Sequence, residues 1–354
     1  MAIRYRIDGL LYEIPPPAKQ MFLALVSRIK ILSKLDIAEK RLPQDGGFSV
    51  KIKNKLIDLR VSTVPSIYGE KVVLRILDKS SVALKLEEFG IEPDMFEEVK
   101  KAINSPYGLI FLSGPTGCGK TTTLYSILES IKSPHKNILT LEDPVEYRLD
   151  GINQVQVKPQ IGLTFAAGLR AFLRQDPDII LVGEVRDLET AEICTRAALT
   201  GHLVLSTIHT NDAVSVIVRL MDIGIEPFLL APSLRLVAAQ RLVRRLCPEC
   251  KQAYHPTAEE IIGLKAKPKL LYKPKGCDKC NNTGYRGRMG IYEIISINEQ
   301  IRELISKNAT DATLKQTVRQ MGIRSLLEDG MLKAAEGITS MEEVIKATYG
   351  GEGE

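Results

Sequence analysis

The spacing of apolar residues divides the chain into stretches of different character. Near the N-terminus, Tyr5-Arg-Ile-Asp-Gly9-Leu-Leu-Tyr-Glu alternates around Asp8-Gly9, the composition of a tight hairpin turn. After Pro15-Pro-Pro17, Met21, Leu25, Ile29 and Leu32 recur on one helical face, which predicts a helix over 18–32. Phe48, Val50 and Ile52 then alternate with polar residues, Lys53-Asn54-Lys55 turns, and Ile57, Leu59 and Val61 alternate again. A further strand is predicted over 71–77. Arg60 and Arg75 lie on these strands, and each fits a solvated strand charge as readily as a working one. Residues 1–92 therefore read as a small α+β domain with its linker.

Beyond a helix predicted over 93–103, with proline in its first turn, the pattern changes to strand alternating with helix. The strands are 109–112, 138–141, 179–182 and 203–207. Their near-continuous apolar runs suit parallel strands buried on both faces. This predicts an α/β core over 93–230. From 227 to 246 the spacing predicts a long helix carrying Arg235, Arg241, Arg244 and Arg245, leading into a cysteine lobe that closes a segment 231–290. The remainder, 291–354, reads as a helical subdomain with helices near 299–307, 313–321, 324–336 and 340–348.

The chemistry gathers where the predicted strands end. Gly114-Pro115-Thr116-Gly117-Cys118-Gly119-Lys120-Thr121 follows the first strand and opens the helix that begins at Thr122. Strand, glycine loop and helix form the context in which G-x-x-x-x-G-K-[ST] cradles phosphates. The glycines let successive N–H groups face an anion, and the helix N-terminus adds partial positive charge. Lys120 is expected to reach the β- and γ-phosphates of ATP, and Thr121 to offer a hydroxyl to Mg²⁺. Glu142 ends the second strand, Glu184 follows the third after Gly183, and His209 follows the fourth. A carboxylate there can hold Mg²⁺ through water or polarise an attacking water. His202 and His209 are each as readily satisfied by local backbone.

Composition narrows the partners. The chain has 354 residues, net charge +5, 5% aromatics and no tryptophan. That is poor material for stacking bases, and there is no dense basic stripe, so no nucleic-acid partner is expected. No apolar run approaches the length of a transmembrane segment. A cytoplasmic setting makes the six cysteines ligands or free thiols rather than disulfides. Cys247-Pro-Glu-Cys250 and Cys277-Asp-Lys-Cys280, separated by about 26 residues, can present four thiolates to Zn²⁺; a redox pair is the alternative. Cys118 contributes mainly its backbone N–H, and Cys194 reads as core filler.

On these residues the chain resembles the secretion ATPases, the hexameric motors of type IV pilus assembly and type II secretion, over 4–348. The phosphate loop matches, with Cys118 where serine is more usual. Thr140-Leu-Glu-Asp-Pro-Val-Glu146 resembles the family's aspartate box. Asp178–Asp187 resembles its second nucleotide motif, ending in Gly183-Glu184, and Gly201–His209 its histidine box. Arg60-Val-Ser-Thr-Val-Pro65 through Arg75 resembles the segment carrying two arginine sensors. The resemblance implies a small α+β domain followed by a RecA-like P-loop ATPase domain, a four-cysteine zinc lobe and a C-terminal helical subdomain. It implies Glu142 as general base, Glu184 toward Mg²⁺, Arg60 and Arg75 as a γ-phosphate clamp, and His209 as a γ-phosphate sensor. A homo-hexamer is implied, peripheral at the inner membrane and acting on a membrane platform protein. Residues 151–157 and 162–170 lean towards pilus assembly over type II secretion. A retraction motor, whose branch generally lacks the cysteine lobe, and a nucleic-acid translocase rank lower. The chain begins inside the family's second N-terminal domain, so a partner-recruiting first domain is expected to be missing. Gly47 stands where many relatives carry arginine, and no role for that charge carries over.

Overall fold

The computed structural model of the chain describes residues 2–52, 55–77, 85–257 and 269–349. The predicted turn at Lys53-Asn54 lies outside them. Two compact units are formed, Met1–Ala83 and Leu84–Glu354.

In the first unit, β1 (Ile3–Ile7) and β2 (Leu10–Ile14) pair antiparallel. Asp8 and Gly9 between them have φ of 47° and 91°, the left-handed pair that a two-residue hairpin turn needs. Helix α1 (Phe22–Leu32) follows, and then β3 (Gln44–Ile52), β4 (Lys55–Ser66) and β5 (Gly69–Leu77) form an antiparallel sheet in that order. Its register sets Arg60 directly opposite Arg75. The core of this unit is thin and partly polar. Val26 and Val61 are buried together with Lys30, Ser33 and Thr63. Lys30, only 1% exposed, ion-pairs with Glu70 and donates to the Glu39 carbonyl at 2.7 Å.

The second unit begins with α2 (Pro93–Ile103) and is built on a seven-stranded sheet ordered β14-β11-β6-β10-β9-β7-β8. Its strands are β6 (Gly108–Ser113), β7 (Ile138–Glu142), β8 (Asn153–Gln156), β9 (Ile179–Val182), β10 (Leu203–Ile208), β11 (Leu234–Leu246) and, after the short hairpin β12 (Gln252–Tyr254) and β13 (Leu271–Lys273), β14 (Tyr285–Ser296). All pairings are parallel except β11 with β14. Both faces are covered. Ile110 and Leu112 of β6 pack with α2 and α3 (Lys120–Ile131). Leu109 and Phe111 point the other way, into a core shared with α4 (Phe165–Phe172), α5 (Leu188–Leu199), α6 (Val214–Ile223), α7 (Pro227–Ser233), α8 (Glu299–Ser306) and α9 (Asp311–Gln320). Helices α10 (Leu326–Ala335) and α11 (Met341–Tyr349) pack on Leu271 of β13 through Met331, Ala334 and Val344.

The arginine-bearing helix expected over 227–246 is not a helix. Only α7 is helical, and from Leu234 the chain runs as β11, parallel to β6 and antiparallel to β14. Leucine, alanine, glutamine and arginine favour a helix locally, but pairing on both edges of the strand outweighs that preference. Its arginines accordingly do separate work. Arg235 lies over the Tyr107 ring, Arg241 is buried, and Arg244 pairs with Glu343 and stacks on Tyr285. The boundaries expected at 230 and 290 therefore cut through a single sheet, and the helical subdomain begins only at Glu299.

Removing one member of a buried ion pair leaves an uncompensated charge, at a cost of about 3–5 kcal/mol. Lys30→Ala is expected to destabilise the first unit by that order in urea denaturation, and adding Glu70→Leu to recover part of the loss. A single variant of parental stability would refute the pairing.

Candidate functional site

The loop between β6 and α3 departs from ordinary backbone at each glycine: φ is 145° at Gly114, 81° at Gly117 and 90° at Gly119. A Cβ on Gly114 would lie 2.5 Å from the Gln240 carbonyl oxygen and 2.6 Å from the Cys118 sulfur, whereas one on Gly117 would meet nothing within 4 Å. One wall of the loop is thus pressed on β11 and the other is open, which fits a cradle for an anion. Pro115 and Thr116 form its crest. Lys120, Thr121 and Thr122 make the first turn of α3. The Lys120 ammonium donates to the Gly114 carbonyl at 2.6 Å and the Pro115 carbonyl at 3.0 Å. Burial pulls its proton affinity below the usual lysine range, opposed by Cys118, reinforced by Arg241 and opposed again by Glu184.

Glu184 lies among these groups. Its carboxylate pairs with Arg186 and comes 3.7 Å from His209 Nε2. Burial, and then the Lys120 charge, hold His209 below the ordinary histidine value. His202 lies at the other end of β10, where its ring contacts the Ala197 carbonyl at 2.9 Å. Glu142 closes β7 and is 3% exposed. Both its oxygens are engaged: Oε1 accepts from Thr140 Oγ1 at 2.5 Å and Gln154 Nε2 at 3.2 Å, and Oε2 accepts from the Tyr125 hydroxyl. Burial, and then the Glu142 charge, push the Tyr125 phenol well above its ordinary range. Arg60 and Arg75 belong to the first unit and carry the cross-strand arrangement given above.

Residues of β11 and β14 complete the loop's surroundings, and sequence reasoning missed them. Gln240 bonds both Cys118 and Thr123. Arg241 donates to the Asn211 carbonyl at 2.8 Å and so ties the segment after His209 to β11. Glu293 accepts from the Ala213 N–H at 3.3 Å. A polar residue inside an apolar run was the available signal. Gln240 sits between Val-Ala-Ala and Leu-Val once the arginines are set aside, and a buried amide needs partners.

The four cysteines of the lobe are brought together, with all sulfurs within 4.8 Å of one another. Cys247 to Cys277 is 3.9 Å, Cys250 to Cys280 is 3.9 Å and Cys277 to Cys280 is 3.7 Å. A tetrahedral zinc ion with Zn–S of about 2.3 Å requires sulfurs about 3.8 Å apart, so the set fits such an ion. Cys194 is fully buried, its thiol pushed up to about 12 by burial.

A glycine loop at the mouth of a central parallel strand, with acidic residues at the ends of other parallel strands of the same sheet, defines a P-loop ATPase. The chain belongs to the type II/IV secretion system protein family, whose model matches residues 1–346. It is 49% identical to the type II secretion system ATPase E of Vibrio cholerae, over 98% of this chain and 70% of that protein. It is also 49% identical to the type IV pilus assembly ATPase PilB of Myxococcus xanthus, over 98% of this chain and 62% of that protein. Among solved structures, the pilus retraction motor PilT with bound ADP is similar at a TM-score of 0.65 and 26% identity, covering 98% of this chain and 90% of that one. The Legionella pneumophila ATPase DotB shares the fold at a TM-score of 0.70 and 21% identity, covering 99% and 91%. No helix among the described residues is long and apolar enough to cross a membrane.

Glu293 gives the site region a measurable pH dependence. Burial, reinforced by Asp212, raises its carboxyl from 4.5 to about 7. Between these values the folded state holds the extra proton, so stability is full at lower pH and falls as pH rises through about 7. The shift corresponds to about 3 kcal/mol. Glu293→Gln is expected to raise the melting temperature at neutral and higher pH and to flatten its pH profile. A variant tracking the parent across that range would contradict the assignment.

Proposed function

We propose that the chain is a motor ATPase that couples ATP hydrolysis to assembly of a pilus-like filament. It works as a homo-hexamer on a platform protein at the cytoplasmic face of the inner membrane. The phosphate loop carries this reading, with Gly114 wedged on β11, an open wall at Gly117 and Lys120 at the head of α3. ATP lies along residues 114–122, and Lys120 exchanges two loop carbonyls for β- and γ-phosphate oxygens. Thr121 and Glu184 would hold Mg²⁺, which would neutralise phosphate charge when bound. Glu142 turns from Tyr125, Thr140 and Gln154 to orient the attacking water. His209, beside Glu184, senses the γ-phosphate.

Arg60 and Arg75 supply positive charge to the transferring γ-phosphoryl. Their cross-strand register supports this, because residues directly opposite in a ladder share one face of the sheet and can present both charges to the same anion. In this reading phosphate loss releases the clamp, which turns hydrolysis into movement of the first unit. Type IV pilus assembly is the system proposed, on residues 151–157 and 162–170. Type II secretion is the second reading, favoured by the Vibrio cholerae relative. Complementation of strains lacking one motor or the other separates them.

Cys247, Cys250, Cys277 and Cys280 are proposed to hold a structural Zn²⁺, since four thiolates leave no open coordination position. The purified chain is expected to contain one zinc, and chelation to lower its melting temperature while ADP still binds. Native protein without zinc would end this assignment.

Loss of an arginine of this kind slows turnover by about 10³–10⁵-fold. Arg75→Ala is expected to keep ADP affinity and lose hydrolysis to that extent in a steady-state phosphate-release assay. Near-parental turnover would remove the clamp from the mechanism.

A further inference from the structure

We infer that Gln240 is a positioning residue that fixes the shape of the phosphate loop and thereby its affinity for nucleotide phosphates. The inference rests on reading residues 114–121 as a phosphate cradle. Gln240 is 1% exposed. Its Nε2 donates to the Cys118 carbonyl at 2.9 Å, and its Oε1 accepts from Thr123 Oγ1 at 2.9 Å. The two bonds fix the orientation of the amide, since turning it over would set oxygen against the Cys118 carbonyl oxygen.

A cradle that aims N–H groups at an anion turns its carbonyls to the rear, where each needs a donor. Two kinds of donor serve this loop. The Gly114 and Pro115 carbonyls accept from the Lys120 ammonium, a partner that leaves when lysine moves to phosphate. The Cys118 carbonyl accepts from a neutral amide on a strand paired along both edges. That bond does not depend on occupancy of the cradle. Neutrality matters as well, because an ionised carboxylate here would repel both the carbonyl and a bound phosphate.

The same residue borders the loop at two further points. Its carbonyl oxygen bars a side chain at Gly114, and its Nε2 lies 3.0 Å from where a Cβ on Gly119 would stand. Thr123 lies on α3, one turn beyond Lys120, so Gln240 ties the loop to the helix that follows it. Without the amide, the Cys118 peptide is free to turn its carbonyl toward the phosphates.

The test measures dissociation constants for ADP with magnesium, and melting temperatures without nucleotide, for the parent chain, Gln240→Leu, Gln240→Glu and Thr123→Val. One such hydrogen bond corresponds to about two- to twelvefold in a binding constant. Gln240→Leu is expected to weaken ADP binding toward the upper end of that range, and Thr123→Val toward the lower end. Gln240→Glu is expected to bind weakly at alkaline pH and to recover, relative to the parent, as pH falls and a protonated carboxyl can donate to Cys118 again. A purely structural role would lower melting temperatures and leave the dissociation constants parental, which overturns the inference. Should Gln240→Leu not fold, parental affinity in Thr123→Val, together with no pH-dependent recovery in Gln240→Glu, overturns it equally. A parent chain that binds no ADP would overturn the phosphate-site reading and this inference with it. A parent that binds while every variant binds alike would overturn this inference alone.

Discussion

The closeness of β11 to the end of β6 is the constraint on which the second unit depends. β6 is paired on both sides, by β10 and by β11, so its C-terminal end cannot shift sideways. The loop leaving it has no room for a side chain at Gly114, because the Gln240 backbone occupies that space. The same strand carries Arg241, which holds the segment following His209 through the Asn211 carbonyl. β14 secures β11 from outside, and the cysteine cluster closes the far end of that antiparallel ladder at Cys247 and Cys280. Loop and lobe are remote, yet they share one strand of 13 residues, about 40 Å long at 3.3 Å per residue.

Much of this was legible in the sequence, for identifiable reasons. Four parallel strands announced themselves as apolar runs because both of their faces are covered. α2 was marked by proline at its first position, and the first hairpin by Asp8-Gly9. The positions of the glycine loop, Glu184 and His209 at the ends of parallel strands were legible too, from the G-x-x-x-x-G-K-T pattern and from the polar residues that follow each apolar run. β11 escaped because its residues favour a helix and its strand state is imposed by neighbours distant in sequence. The partners of the loop on β11 escaped for the same reason. Gln240 lies 117 residues beyond Thr123, and no spacing rule spans that distance.

Buried charge is handled differently in the scaffold and in the site. In the scaffold it is paired with opposite charge: Lys30 with Glu70, Arg244 with Glu343, and Lys333 with Asp329 and, at 3.8 Å, Glu92. Near the loop Lys120, Arg241 and Glu142 meet dipoles instead, whereas Glu184 keeps an opposite charge in Arg186. Lys120 rests on two carbonyls, Arg241 on two more, and Glu142 on two hydroxyls and an amide. A charge held by dipoles keeps its full attraction for an incoming ion, because no countercharge has to be displaced. Pairing suits permanence, and solvation by dipoles suits exchange.

Helix α3 joins two of these dipole-held groups. It carries Lys120 as its first residue and Tyr125 in its second turn, and Tyr125 is the donor that occupies Glu142 Oε2. A helix of 12 residues packed along its buried face moves as one body. Any displacement of its first turn is therefore felt at the Glu142 carboxylate. The distance between the glycine loop and Glu142 is bridged by a single element of secondary structure. Tyr147 packs edge-on against Tyr125 with ring centres 4.6 Å apart, which restrains the phenol from answering by rotation alone. The glycine loop and the Glu142 carboxylate are linked through the body of the helix.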